Sequence, residues 1–95
     1  MDRYIAYLQK EEYGIYTMTI HISNLILYEK WLKRQGESLQ YPCEHLIMRY
    51  VDYLSAKENS VALKISNLDS LNCYFNYLGE QGIIKENPIL TLGLS

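Results

Sequence analysis

Ninety-five residues make one small domain with no room for two cores. Hydrophobic residues at 48% and charged residues at 21% are ordinary for a globular chain and argue against disorder. A formal charge of −2 excludes a binder that is basic over its whole surface, though not one with a local basic face.

The apolar spacing is helical almost throughout. A first helix is predicted over Asp2 to Tyr13, with Asp2 as N-cap, Tyr4, Ile5 and Leu8 on adjoining turns and Gly14 as the stop. A second runs from Thr17, a candidate cap, to Gln35 and ends at Gly36; Lys33 and Arg34 in its last turn suit the carbonyl end of the helix dipole. After a polar stretch from Glu37 to Tyr41, Pro42 offers a favourable first helical position. Leu46, Ile47, Tyr50, Val51 and Leu54 carry this third helix to about Lys57. Ser60 is placed to cap a fourth, whose apolar stripe takes in Val61, Ile65, Leu68, Leu71, Phe75 and Leu78 before Gly82 closes it. Ile83 and Ile84 are expected to pack back on the bundle, and Asn87-Pro88 to forbid continuation of the helix. The fold class is therefore all-α, with neighbouring helices packed through short connections.

Two further signals stand out. Tyr28-x-x-Trp31-Leu32-x-x-Gln35-Gly36 recurs as Tyr74-x-x-Tyr77-Leu78-x-x-Gln81-Gly82, so the second and fourth helices should end in similar surroundings. Ten tyrosines against a single phenylalanine suggest rings that bury apolar area while keeping their hydroxyls wet, near the surface.

Enzymatic signatures are missing. The five glycines are isolated, so no phosphate loop is present. His21 and His45 lack the spacing and company of a metal site, and Cys43-Glu44-His45 point in different directions around a helical turn. No catalytic residue, metal ligand or cofactor is expected. Cys43 and Cys73 form neither a disulfide framework nor a CxxC pair, and no signal peptide or membrane span is visible; a cytoplasmic protein is expected.

The order of these signals is more specific than any one of them. Glu11-Glu12-Tyr13-Gly14-Ile15 precedes a polar helix opening at Tyr16-Thr17-Met18-Thr19-Ile20, and a middle helix carries Tyr50-x-x-Tyr53-Leu54. The last helix reads Leu68-Asp69-Ser70-Leu71-x-x-Tyr74-Phe75-x-Tyr77-Leu78, followed by Gly82-Ile83-Ile84 and Asn87-Pro88. In this the chain resembles the N-terminal core-binding (SAM-like) domain of tyrosine recombinases, the phage-integrase family. The resemblance spans essentially residues 1–95 and implies a four-helix orthogonal bundle that clamps double-stranded DNA. It also implies that the nucleophilic tyrosine lies in a C-terminal catalytic domain absent from this chain, so none of these tyrosines is that nucleophile. The implied partners are duplex DNA, that catalytic domain and neighbouring recombinase protomers in a DNA-bound tetramer, with no membrane.

Candidate DNA contacts follow from the residues and the resemblance together. Thr19, Ser23, Lys30, Lys33 and Arg34 share the polar arc of the second helix, where hydroxyls and cations can reach successive phosphates. Thr17 and Thr19 match the family's polar opening of this helix; ordinary capping is the alternative, as a solvated basic end is for the three cations. On the fourth helix the candidates are Lys64 and Asn67, with Asn67 and Asn72 standing where many relatives carry Arg. His21, Asn24 and Tyr28 form a second polar line, expected to meet a neighbouring helix. A helical protein-interaction module without nucleic-acid function is the rival class, favoured by the acidic balance and the tyrosine content.

Overall fold

The computed structural model describes residues 2–39, 43–57 and 60–94. Its helices are α1 (Asp2–Lys10), α2 (Ile15–Arg34), α3 (Glu44–Lys57), α4 (Val61–Glu80) and α5 (Pro88–Thr91). The all-helical class is as expected, with one addition. α4 does not continue through Asn87-Pro88, and the pair starts a new helix: Asn87 Oδ1 accepts from Ile89 N–H at 2.9 Å and Pro88 takes the first position of α5. Asn87 Nδ2 meanwhile donates to Asn72 O, Asn72 Oδ1 and Asn76 Oδ1, fastening α5 to α4.

α4 touches every other helix. From Ser70 to Leu78 only Asn72 and Asn76 escape full burial, the condition of a helix surrounded on nearly all sides. Its predicted stripe is buried only from Leu71 on. Leu68 is half-buried, while Val61 and Ile65 are 63% and 53% exposed and line an open groove with Val51 and Leu54 of α3.

The tyrosine rings bury apolar area as expected, and among the described residues the Tyr4 hydroxyl departs from expectation by being buried without a partner. Tyr4, Tyr28, Tyr50, Tyr74 and Tyr77 are buried and form the core with Trp31, Phe75 and the leucines. The bundle has one phenylalanine, and the phenol rings supply the aromatic volume it lacks. Tyr4 meets Tyr74 edge-on at 5.1 Å, and Tyr28 meets Tyr50 edge-on at 4.8 Å, arrangements that aromatic quadrupoles favour. Burial pushes the phenols of Tyr50 and Tyr74 up to about 12.

Helix ends follow one device. After α2 and α4, Gly36 (φ 75°) and Gly82 (φ 72°) take the left-handed conformation. Glu37 N–H then reaches back to Leu32 O at 2.9 Å, and Ile83 N–H to Leu78 O at 3.0 Å, so the repeated sequence produces a repeated cap. Ile84 packs on the core as expected, whereas Ile83 is exposed. α1 closes in the same way but earlier than predicted. Glu12 (φ 63°), not Gly14, takes the left-handed position, and Tyr13 N–H bonds Leu8 O. Gly14, freed from that role, is the extended N-cap of α2, which therefore begins at Ile15 and not at Thr17. Asp2 lies in the first turn of α1 and is not its cap; Ser60 does cap α4, accepting from Leu63 N–H. Pro42 lies outside the described residues.

A Cβ at Gly36 or Gly82 would meet open space, so alanine there costs backbone strain alone. Gly36→Ala and Gly82→Ala are each expected to lower stability by about 1–2 kcal/mol in urea unfolding, whereas Glu12→Gly removes strain of the same kind.

The His21 line meets α4, as expected of it. His21 Nδ1 lies 2.8 Å from Ser70 Oγ, and Asn24 Nδ2 donates to Ser66 O, Ser66 Oγ and Ser70 Oγ. Ser70 is fully buried, so this network fixes the lateral register of the two longest helices. Desolvation holds the imidazole below its ordinary pKa, opposed by Asp69; the Tyr13 ring stands edge-on to it at 5.5 Å. Protonation is therefore easier in the unfolded chain. The contribution is complete above about pH 6.5 and is lost as pH falls from there through the folded value. Tm should drop between pH 7 and pH 5 in thermal melts, and His21→Gln should flatten that drop.

Candidate functional site

Thr17, Thr19, Ser23, Lys30, Lys33 and Arg34 are all exposed on α2. Thr19 Oγ1 donates to Ile15 O at 2.9 Å, and Gly14 brings no side chain to cap the helix. The N–H groups of the first turn, Thr17 included, thus have no side-chain cap, so the capping role considered for Thr17 is not the one it takes. Thr17 and Lys30 are separated by roughly 20 Å along the helix, so hydroxyls and cations occupy different ends of one face.

At the cationic end, Lys30 and Arg34 do not simply project into solvent. With Leu27 they form one wall of a depression of about 90 Å3; Tyr50, Tyr53, Leu54 and Lys57 of α3 form the opposite wall. Arg34 Nη2 donates to the Tyr53 hydroxyl at 3.3 Å, and Lys57 Nζ donates to the same oxygen at 3.4 Å. Both cations also lie over the Tyr53 ring, at 5.8 and 5.6 Å from its centroid. The hydrogen bond from Lys57, followed by that from Arg34, lowers the phenol's pKa. Among the described residues, this lining has three cations and no carboxylate.

Asn67 is where α4 meets the depression. It was expected as an exposed polar contact, but it is only 7% exposed. Its Nδ2 donates to Leu63 O at 2.9 Å, while Oδ1 has no hydrogen-bond partner among the described residues. Asn67 thus has one donor committed to its own helix and a buried acceptor without a partner among the described residues. Lys64 lines the adjoining apolar groove of about 170 Å3, and Leu54 belongs to both hollows. Lys30, Arg34 and Asn67 are thus brought together with Lys64 next door; Lys33, Ser23, Thr19 and Thr17 stay on the open face of α2. Asn72 is engaged by Asn87.

Tyr53 and Lys57 were not singled out from the sequence. Their i, i+4 spacing on α3 was the available signal, but the pairing with Arg34 depends on how α3 lies against α2. A larger hollow, about 430 Å3, has Asp2 and Glu29 beside Arg3, a mixed charge unsuited to a polyanion. Among the described residues, no three His, Cys, Asp or Glu side chains are placed to hold a metal ion; Glu44 instead accepts from Thr91. No helix among the described residues is long and apolar enough to cross a membrane.

The family profile described as "Phage integrase, N-terminal SAM-like domain" matches residues 1–82, the whole of α1 to α4. The chain belongs to that family. Tyrosine recombinase XerC of Bacillus licheniformis is 30% identical to this SAM-like domain over 96 residues. The match covers 96% of this chain and 31% of that relative, so the chain spans about a third of the relative's length. No solved structure gives a significant match. The SAM-like domain is thus recombinase-associated, and α5 lies beyond the family match.

Proposed function

We propose that this SAM-like domain grips duplex DNA for site-specific recombination, with its exposed α2 face against the phosphate backbone. Chemistry on the DNA then belongs to a separate C-terminal catalytic domain, and neighbouring protomers complete a DNA-bound tetramer. The observation that supports this most is the gathering of Lys30, Arg34 and Lys57 around one hollow with no carboxylate among the described residues, in a chain whose net charge is −2. Lys33 and Lys64 extend the positive surface to either side. At the other end of α2, Thr17 and Ser23 offer hydroxyls, and the first turn including Thr17 offers uncapped backbone N–H groups, to a further phosphate; Thr19 can join by turning its hydroxyl from Ile15 O.

Few cations mean a small counterion-release term. Alone, the domain binds in the ~10⁻⁴–10⁻⁶ M range typical of non-specific complexes, and tethering to the catalytic domain raises the effective concentration. Fluorescence anisotropy of a labelled duplex over a salt series tests this. Affinity should fall with salt; no complex at low salt, even with a catalytic domain supplied, would refute it.

A second reading, a protein-interaction module, is favoured by the exposed Val61, Leu63 and Ile65 at the start of α4. It predicts a complex that tolerates salt and is lost when these residues are made polar.

A further inference from the structure

We infer that Arg34, Tyr53 and Lys57 form a phosphate clamp at the α2–α3 seam, with Lys30 on its rim and Asn67 at its floor. The clamp rests on the DNA-binding reading insofar as its phosphate belongs to a duplex backbone; free phosphate offers the same chemistry.

Two cations within 3.4 Å of one phenol oxygen are an unusual pairing, because that neutral oxygen cannot cancel either charge. Their mutual repulsion is relieved by an anion placed between them. Tyr53 accepts from both and still has its own O–H to donate, so a guanidinium, an ammonium and a hydroxyl converge on one point. The guanidinium keeps further N–H groups of its fork for a second phosphate oxygen. Tyr50, Leu27 and Leu54 line the same hollow beside these solvent-exposed contacts. The volume, about 90 Å3, suits a single tetrahedral group and not a stacked base.

Asn67 bounds the hollow from α4. Its Oδ1 is buried out of reach of solvent and has no hydrogen-bond partner among the described residues, so it takes no part in holding the anion. A phosphate on Arg34 and Lys57 draws the Lys30 ammonium toward it from the rim, and binding then ties α2 to α3.

The test uses inorganic phosphate and a labelled duplex as separate probes, with the Tyr53 ¹³Cζ resonance and anisotropy as readouts. Phosphate should shift the Tyr53 signal saturably, and Lys57→Gln should abolish the shift. Lys57→Gln should also weaken duplex binding about tenfold and reduce the salt slope by about 0.9, the value for one lost phosphate contact. Lys85→Gln, outside the hollow, should change neither. A duplex effect of Lys57→Gln without any response to inorganic phosphate would assign the clamp to backbone phosphates alone. A Tyr53 shift abolished by Lys57→Gln, in a chain that binds no duplex, would uphold the clamp and refute the DNA reading. Wild-type duplex binding that Lys57→Gln leaves intact, with Tyr53 silent to phosphate, would overturn the clamp and spare that reading.

Discussion

Tyr28→Ala is expected to destabilise the domain by about 3–5 kcal/mol, the range for removing a large buried aromatic side chain. Tyr28 is 1% exposed, and its ring contacts Trp31, Tyr50 and Phe75 at centroid distances of 6.3, 4.8 and 6.4 Å. It thus joins α2, α3 and α4 at one point. Domains of this size are stable by roughly 5–14 kcal/mol, so the loss takes a large fraction of the total and lowers Tm by tens of degrees. Tyr28→Phe keeps the ring and should stay within about 1 kcal/mol, which separates ring packing from the hydroxyl. The buried phenols also set an alkaline limit. Burial raises the pKa values of Tyr4, Tyr28, Tyr50 and Tyr74, so their contribution is complete below about pH 10 and is lost as pH rises through the folded values. Thermal melts from pH 8 to 12 should show this decline.

The second large effect is on binding. Lys30→Gln/Arg34→Gln should weaken duplex affinity on the order of a hundredfold at low salt, because a hydrogen bond to a charged group is worth about 1.5–3 kcal/mol. The slope of log K against log[salt] should become shallower by roughly two, one phosphate contact per cation. Both side chains are exposed, so stability should change by less than about 1 kcal/mol. Urea unfolding beside anisotropy therefore separates lost contacts from lost structure. If the slope is unchanged, these cations do not face the backbone.

Local chemistry made much of this architecture readable in advance. Ser60, Gly36 and Gly82 mark helix ends because one side chain or one φ value decides each, and the twin Tyr-to-Gly sequences produced twin caps. Lys30 and Arg34 were identifiable as partners because four residues along a helix return to nearly the same face. What could not be read depends on distant neighbours. Glu12 tolerates a left-handed backbone in a turn that also delivers Tyr13 to Cys73, whose Sγ lies 3.7 Å from the Tyr13 hydroxyl. Tyrosine's two-sided character made the buried rings readable, but not that the Tyr4 hydroxyl would be sealed in without a partner among the described residues. Asn67 looked like a polar side chain on an open face, yet α2 and α3 close over it. Tyr53 and Lys57 acquire their meaning only when α3 brings them to Arg34.

The neighbourhood of Trp31 also gives the molecule a built-in optical gauge. Its indole is the only one in the chain, and Tyr28, Tyr50 and Tyr53 lie 6.3, 5.1 and 6.2 Å from it. At such separations, light absorbed by these phenols passes to the indole before it can be re-emitted. Excitation of these three phenols should therefore emerge as tryptophan fluorescence in the native fold, and emission from Tyr50 and Tyr53 should rise as α3 parts from α2. The same signal watches the seam where Arg34 and Lys57 converge, so unfolding and occupancy of that seam can be followed in unlabelled protein.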